Sequence, residues 1–190
     1  AYLVRFADDF LIMFQYERDA QRVYEAIVKR MELFGLELSK EKTRILPFGR
    51  NCGTRETFDF LGFTHFNSKT RKGYYSVGHK ISRKKKKQFK LNLKKWVKEN
   101  RDKQFDEFMK KLNKKLTGSF NYYSLSGMMR EVRSLWIHSL YVTFKWMNRR
   151  SQRRSFKLER FYEIWHERII HPYIHVDIWS GDKVIYNKKV

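Results

Sequence analysis

The chain has 190 residues, 42% of them hydrophobic, with 42 Lys and Arg against 20 Asp and Glu and a formal charge of +22. That length suits one medium domain or two small ones, and that apolar content excludes wholesale disorder. The single cysteine, Cys52, excludes an internal disulfide and a Cys-rich zinc site, and no apolar run reaches the roughly 20 residues that span a bilayer.

In chain order, "YLVRF" and "FLIMF" are β-rich and flank "ADD", so residues 2–14 are predicted as two strands joined by a tight turn. Ala20, Val23, Tyr24, Ile27, Met31 and Phe34 then recur at helical spacing, predicting a helix over 18–34 that Gly35 ends in a left-handed conformation. "LELS" alternates as a short strand, "KEKTRILPF" runs on extended, and 49–57 is a polar loop. "FDFLGF" (58–63) reads as another alternating strand with Gly62 inside it. "NSKTRKGYYSVG" predicts a turn and a short hairpin.

After Ser82, a predicted N-cap, the chain turns helical and very basic. Phe89, Leu93, Trp96 and Val97 form one stripe. Asp102 is the expected cap of the next helix, with Phe105, Phe108, Met109, Leu112 and Leu116 inward and Gly118 as its stop. "NYY" (121–123) then falls in a helix–helix connection. Further helices are predicted over about 126–149 and 156–170, the last ended by Pro172, with "YIHVDIW" returning as a strand. Trp136, Trp146 and Trp165 are expected in the core. The fold class is therefore α+β, a small antiparallel sheet with a helix followed by a helical domain.

The charge calls for a polyanion, and 17% aromatic residues favour nucleic acid over an acidic membrane surface. Against it stands the pair Asp8–Asp9. Adjacent carboxylates repel unless a cation sits between them, and Mg²⁺ takes hard oxygen ligands of this kind. The plainer reading is two ordinary turn residues. Four consecutive lysines, Lys84, Lys85, Lys86 and Lys87, spread around a helix as a broad positive field. Arg149 with Arg153 and Arg150 with Arg154 stand four apart, two guanidinium rows if that stretch is helical. His171 and His175 are also four apart, but Pro172 breaks the helix that would align them as zinc ligands.

"RFADDFLIMF", a helix, "GLELSKEKTRI" and "FDFLGF", in that order, resemble the C-terminal half of the palm of group II intron-type reverse transcriptases. "LNKKLTGSFNYYSLSG" and "FKWMNRRSQRRSFKLERF" resemble the maturase thumb of the same family. The resemblance implies a palm part over 1–66, a connecting hairpin over 67–80, a helical thumb over 81–178 and a tail over 179–190. It implies that Asp8 ligates the catalytic Mg²⁺ ions, that Asp9 is a secondary ligand or an electrostatic support, and that Lys42 lies near the incoming triphosphate. For Lys42 a solvated charge beside Glu41 stays equally open. Phe60, Leu61, Gly62 and Phe63 would hold the primer end, and the lysines 84–87 and arginines 149, 150, 153 and 154 would hold RNA.

Phe6 replaces the Tyr usual before Ala-Asp-Asp in this family, which keeps the aromatic body and drops a hydroxyl. The two-ion site of the family needs a further upstream aspartate. The chain opens on "AYLVRF" with neither an initiator Met nor a signal-peptide pattern, so it reads as a piece of a longer cytoplasmic protein, inactive as a polymerase by itself. The implied partners are intron and template RNA, a DNA primer and deoxynucleoside triphosphates, with no membrane. The alternative is a non-catalytic RNA-binding splicing module, and a related reverse transcriptase outside introns stays open.

Overall fold

A computed structural model describes residues 1–39, 41–150 and 155–177. The chain divides into two units, Ala1–Gly78 and His79–Val190. Its architecture is α+β, with two small antiparallel sheets and five helices among the described residues.

In the first unit, β1 (Tyr2–Phe6) pairs antiparallel with β2 (Asp9–Met13), with Phe6 opposite Asp9. Ala7 and Asp8 are the whole turn. Ala7 takes φ 54°, a left-handed angle that glycine usually supplies, and its carbonyl accepts the Arg5 Nε–H at 2.8 Å. Helix α1 (Glu17–Leu33) carries the expected stripe and stops as expected. Gly35, at φ 66°, donates to Glu32 O at 3.0 Å while Leu36 N donates to Met31 O at 2.9 Å, the paired bonds of a Schellman motif.

That motif explains a departure. With the Leu36 N–H spent on the helix end, residues 36–39 form no strand, and Ser39 O instead accepts from the N–H of Lys42 and Thr43. A second departure concerns "FDFLGF". Strand β3 (Thr57–Phe60) ends before Leu61, and β4 (Phe63–Lys69) begins after Gly62. Leu61 (φ 50°) and Gly62 (φ 82°) are a two-residue hairpin turn, and Phe60 pairs directly with Phe63. Gly62 is therefore a turn residue; two successive positive φ angles are what such a turn demands. Strand β5 (Tyr75–Ile81) completes a sheet of order β3-β4-β5, in which a Cβ on Gly78 would overlap the Phe66 ring.

Apolar surface stays open in this unit. Among its described residues only Thr64 is buried, while Tyr2, Leu3 and Phe6 are 76%, 63% and 64% exposed. A two-stranded hairpin without a covered face is marginal in water.

The second unit has a true core. Helix α2 (Arg83–Asn100) contributes Leu93 and Val97; α3 (Phe105–Tyr123) contributes Phe108, Met109, Leu112, Leu116 and Phe120. Helix α4 (Met129–Met147) and α5 (Leu158–Arg168) add Trp136 and Trp165, whose rings meet edge-on at 5.9 Å. Each fully buried large side chain contributes about 2–3 kcal/mol. Ser82 caps α2 as expected, its Oγ accepting the Lys85 N–H at 3.3 Å.

Three boundaries differ from expectation. Asp102 sits in the turn after α2, too early to cap α3; Gln104 holds the cap position, and its carbonyl accepts the Phe108 N–H at 2.9 Å. Gly118 does not stop α3, because burial of Leu116 and Phe120 outweighs the roughly 1 kcal/mol that glycine costs in a helix. Asn121, Tyr122 and Tyr123 are accordingly the last turn of α3. After α5 the chain turns extended at Ile169, three residues before Pro172. Of "YIHVDIW", Val176 forms a single parallel bridge with Leu125, and residues 178 and 179 lie outside the described residues, as does the tail. No helix among the described residues is long and apolar enough to cross a membrane.

Candidate nucleic-acid interface

The first unit carries two hairpin tips. At one, the tight turn puts Asp8 and Asp9 at the end of β1 and β2, both exposed. Among the described residues no group of three or more His, Cys, Asp or Glu converges to hold a metal. Two exposed carboxylates on one turn match the one or two that Mg²⁺ takes from a protein when water and phosphate complete its shell. The donor set fits part of a metal site.

The other tip holds Phe60, Leu61, Gly62 and Phe63, half-buried, in a different sheet from the aspartates. Asp59 Oδ1 accepts the Thr64 hydroxyl beside that turn. Lys42 is exposed in the Ser39–Thr43 turn. The three features are built by separate backbone turns, those at Ala7–Asp8, at Leu61–Gly62 and after Ser39.

The second unit bears the basic surface. Lys84, Lys85 and Lys87 on α2 are exposed. Lys86 is different, because its Nζ lies 2.6 Å from Glu131 Oε1, whose other oxygen accepts the Ile81 N–H at 2.7 Å. Its charge is spent inside the unit.

The expected guanidinium rows depend on a helix that stops too soon. Helix α4 ends at Met147, and Arg149 and Arg150 lie in the turn and bend that follow. The cause is Asn148, whose side chain donates to Phe156 O at 3.1 Å and accepts the Phe156 N–H at 2.8 Å, closing the loop. Arg153 and Arg154 lie outside the described residues.

A different cationic group takes shape around Trp146, which is half-buried and not in the core. Lys98, Arg101 and Arg149 all stand over its ring, at 5.8, 5.5 and 5.6 Å from the centroid. Arg101 Nη1 also donates to Arg149 O at 3.1 Å. The indole gathers three positive charges from two separate stretches of chain by attraction to its ring face. Lys98 and Arg101 sit about fifty residues upstream of Arg149, so nothing local in the sequence marks them as a set.

A groove between α2 and α3 is also lined by residues the sequence did not single out, among them Gln88, Asn92, Lys115 and Ser119. Three histidines of the second unit, His138, His171 and His175, are held towards the neutral form. Burial lowers the pKa of His138, helped by Lys90, and that of His171, helped by His166, while burial alone lowers His175.

Comparison with known families places both units. Residues 1–65 match the family described as reverse transcriptase (RNA-dependent DNA polymerase). Residues 86–163 match the group II intron, maturase-specific domain. A search of curated proteins returned no match. The two matches follow each other in the order of one protein type and cover most of the chain, which belongs to the group II intron-type reverse transcriptase/maturases.

Proposed function

We propose that the chain supplies the metal-carrying hairpin, primer grip and RNA-binding thumb of an RNA-directed DNA polymerase that also assists intron splicing. The observation that carries this reading is the exposed Asp8–Asp9 turn in a reverse-transcriptase segment, followed by a maturase segment with a basic surface. In this reading 1–66 is the last part of the palm, 67–80 a connecting hairpin, 81–178 the thumb and 179–190 a tail. Asp8 and Asp9 would hold Mg²⁺, which would supply Lewis-acid activation of the primer 3′-hydroxyl and charge screening of the triphosphate. Lys42 faces the triphosphate, and Phe60, Leu61, Gly62 and Phe63 seat the primer end. The chain works in the cytoplasm on template and intron RNA, a DNA primer and deoxynucleoside triphosphates.

The resemblance to this family implies a further upstream aspartate in the two-ion site. The polymerase reading therefore calls for a third carboxylate, and the isolated chain is expected to extend no primer. The open apolar surface of β1 and β2 supports the same reading, since a larger palm would bury it.

A second reading, a splicing module without catalysis, is favoured by one observation. The maturase unit has its own core and its own cationic surface. The test is to join the chain to the rest of a reverse-transcriptase palm and compare it with Asp8→Ala. Lost primer extension with retained splicing is expected. Unchanged extension would overturn the catalytic assignment.

A further inference from the structure

The groove between α2 and α3 is a built site rather than a bare charged face. Leu93 and Leu116 give it apolar lining, and it is a surface groove of about 210 Å³, open on one side. That is room for one flat ring system and not for a duplex. Phe89 and Tyr123, both half-buried, line it from the two helices. Phe89 is backed by Phe120, with ring centroids 6.5 Å apart.

The polar lining is equally specific. Gln88 Nε2 donates to Asn92 Oδ1 at 2.7 Å, one turn along α2. That bond orients both amides and leaves the Gln88 carbonyl oxygen as an acceptor and the Asn92 amino group as a donor. An adjacent acceptor and donor match the edge of a nucleobase. Lys85 and Lys115, exposed on α2 and α3, flank the groove, and among the described residues no acidic one lines it.

From this arrangement we propose that the α2–α3 groove takes a single unpaired RNA base, stacked against Phe89 and Tyr123, with its flanking phosphates on Lys85 and Lys115. The inference rests on the reading that this unit binds RNA and adds where an unpaired nucleotide goes. A paired stem reaches the two lysines but not the apolar lining, so the groove discriminates in favour of a bulge. Stacking of one base on aromatic side chains is worth about tenfold or more in affinity.

The test uses the full chain and two stem RNAs identical except for one bulged 2-aminopurine. Fluorescence anisotropy should show the bulged RNA binding about tenfold tighter, with its 2-aminopurine emission quenched on binding. Ser119→Trp fills the groove and should abolish both the preference and the quenching while leaving the paired stem bound within about twofold. Asn92→Leu, at an exposed position, should halve the preference or better. Equal binding of the two RNAs, or a preference that survives Ser119→Trp, overturns the groove assignment and leaves RNA binding standing. Failure of the unaltered chain to bind either RNA overturns the RNA-binding reading instead.

Discussion

Glu131 Oε1 lies 2.6 Å from Lys86 Nζ. Because Glu131 Oε2 also accepts the N–H of Ile81, which is 1% exposed, this carboxylate ties the start of α2 to the start of α4. Removing it strands a buried donor as well as a cation. Glu131→Ala should cost about 2 kcal/mol, read as a lower urea midpoint at unchanged slope. Glu131→Gln keeps an acceptor for Ile81 and should fall between the two.

The same ion pair divides the lysine run by function. Lys84 and Lys87 are exposed, so each is able to displace counterions from an RNA backbone. Changing both to Gln should reduce the log–log salt slope of RNA binding by about 1.5. Lys86→Gln should leave that slope nearly unchanged, since Glu131 already neutralises the charge. Filter binding across a KCl series makes the comparison. Equal losses from all three lysines would contradict it.

Trp146 should act on RNA through the cations it holds. Trp146→Leu removes the ring face from Lys98, Arg101 and Arg149 at once. Each such contact at a partly exposed site is worth about 0.5–1 kcal/mol. Stability should drop by about 2 kcal/mol in sum, and RNA affinity should weaken about threefold as the cations lose their order. The salt slope should stay put, because no charge is removed.

Acid should weaken the helical unit. His138, His171 and His175 all have folded pKa values below the ordinary 6.5, chiefly through burial. As pH falls through that ordinary value, the unfolded chain takes up protons that the folded one refuses, so stability is lost on the acid side and is full above it. Thermal midpoints should fall between pH 7.5 and the acid side of 6.5, and His138→Gln should flatten the fall. A midpoint independent of pH would refute the coupling.

Much of the local fold around the candidate site was legible in the sequence. The Ala-Asp-Asp turn, the helix that Gly35 closes and the Ser82 cap are local matters of spacing and turn chemistry, and each is present. The misses share a cause. Gly62 and Gly118 exchange their expected roles, Gly62 turning the chain while Gly118 lies inside a helix. A glycine permits a turn without compelling one; strand pairing of Phe60 with Phe63 decides the first case, and burial of Leu116 and Phe120 the second. Likewise four lysines in a row look alike until Glu131, 45 residues further on, takes one of them.

What the sequence determined by itself was the class of chain: an acidic turn between β-rich runs, four ordered motifs and a large positive charge, all carried by neighbours in the chain. Tertiary structure alone decided that Glu131 takes Lys86, that Trp146 gathers three cations, and that α2 and α3 leave a groove of about 210 Å³. Those facts depend on residues far apart in the chain meeting across packed helices. Such meetings are set by burial of the core and not by local spacing.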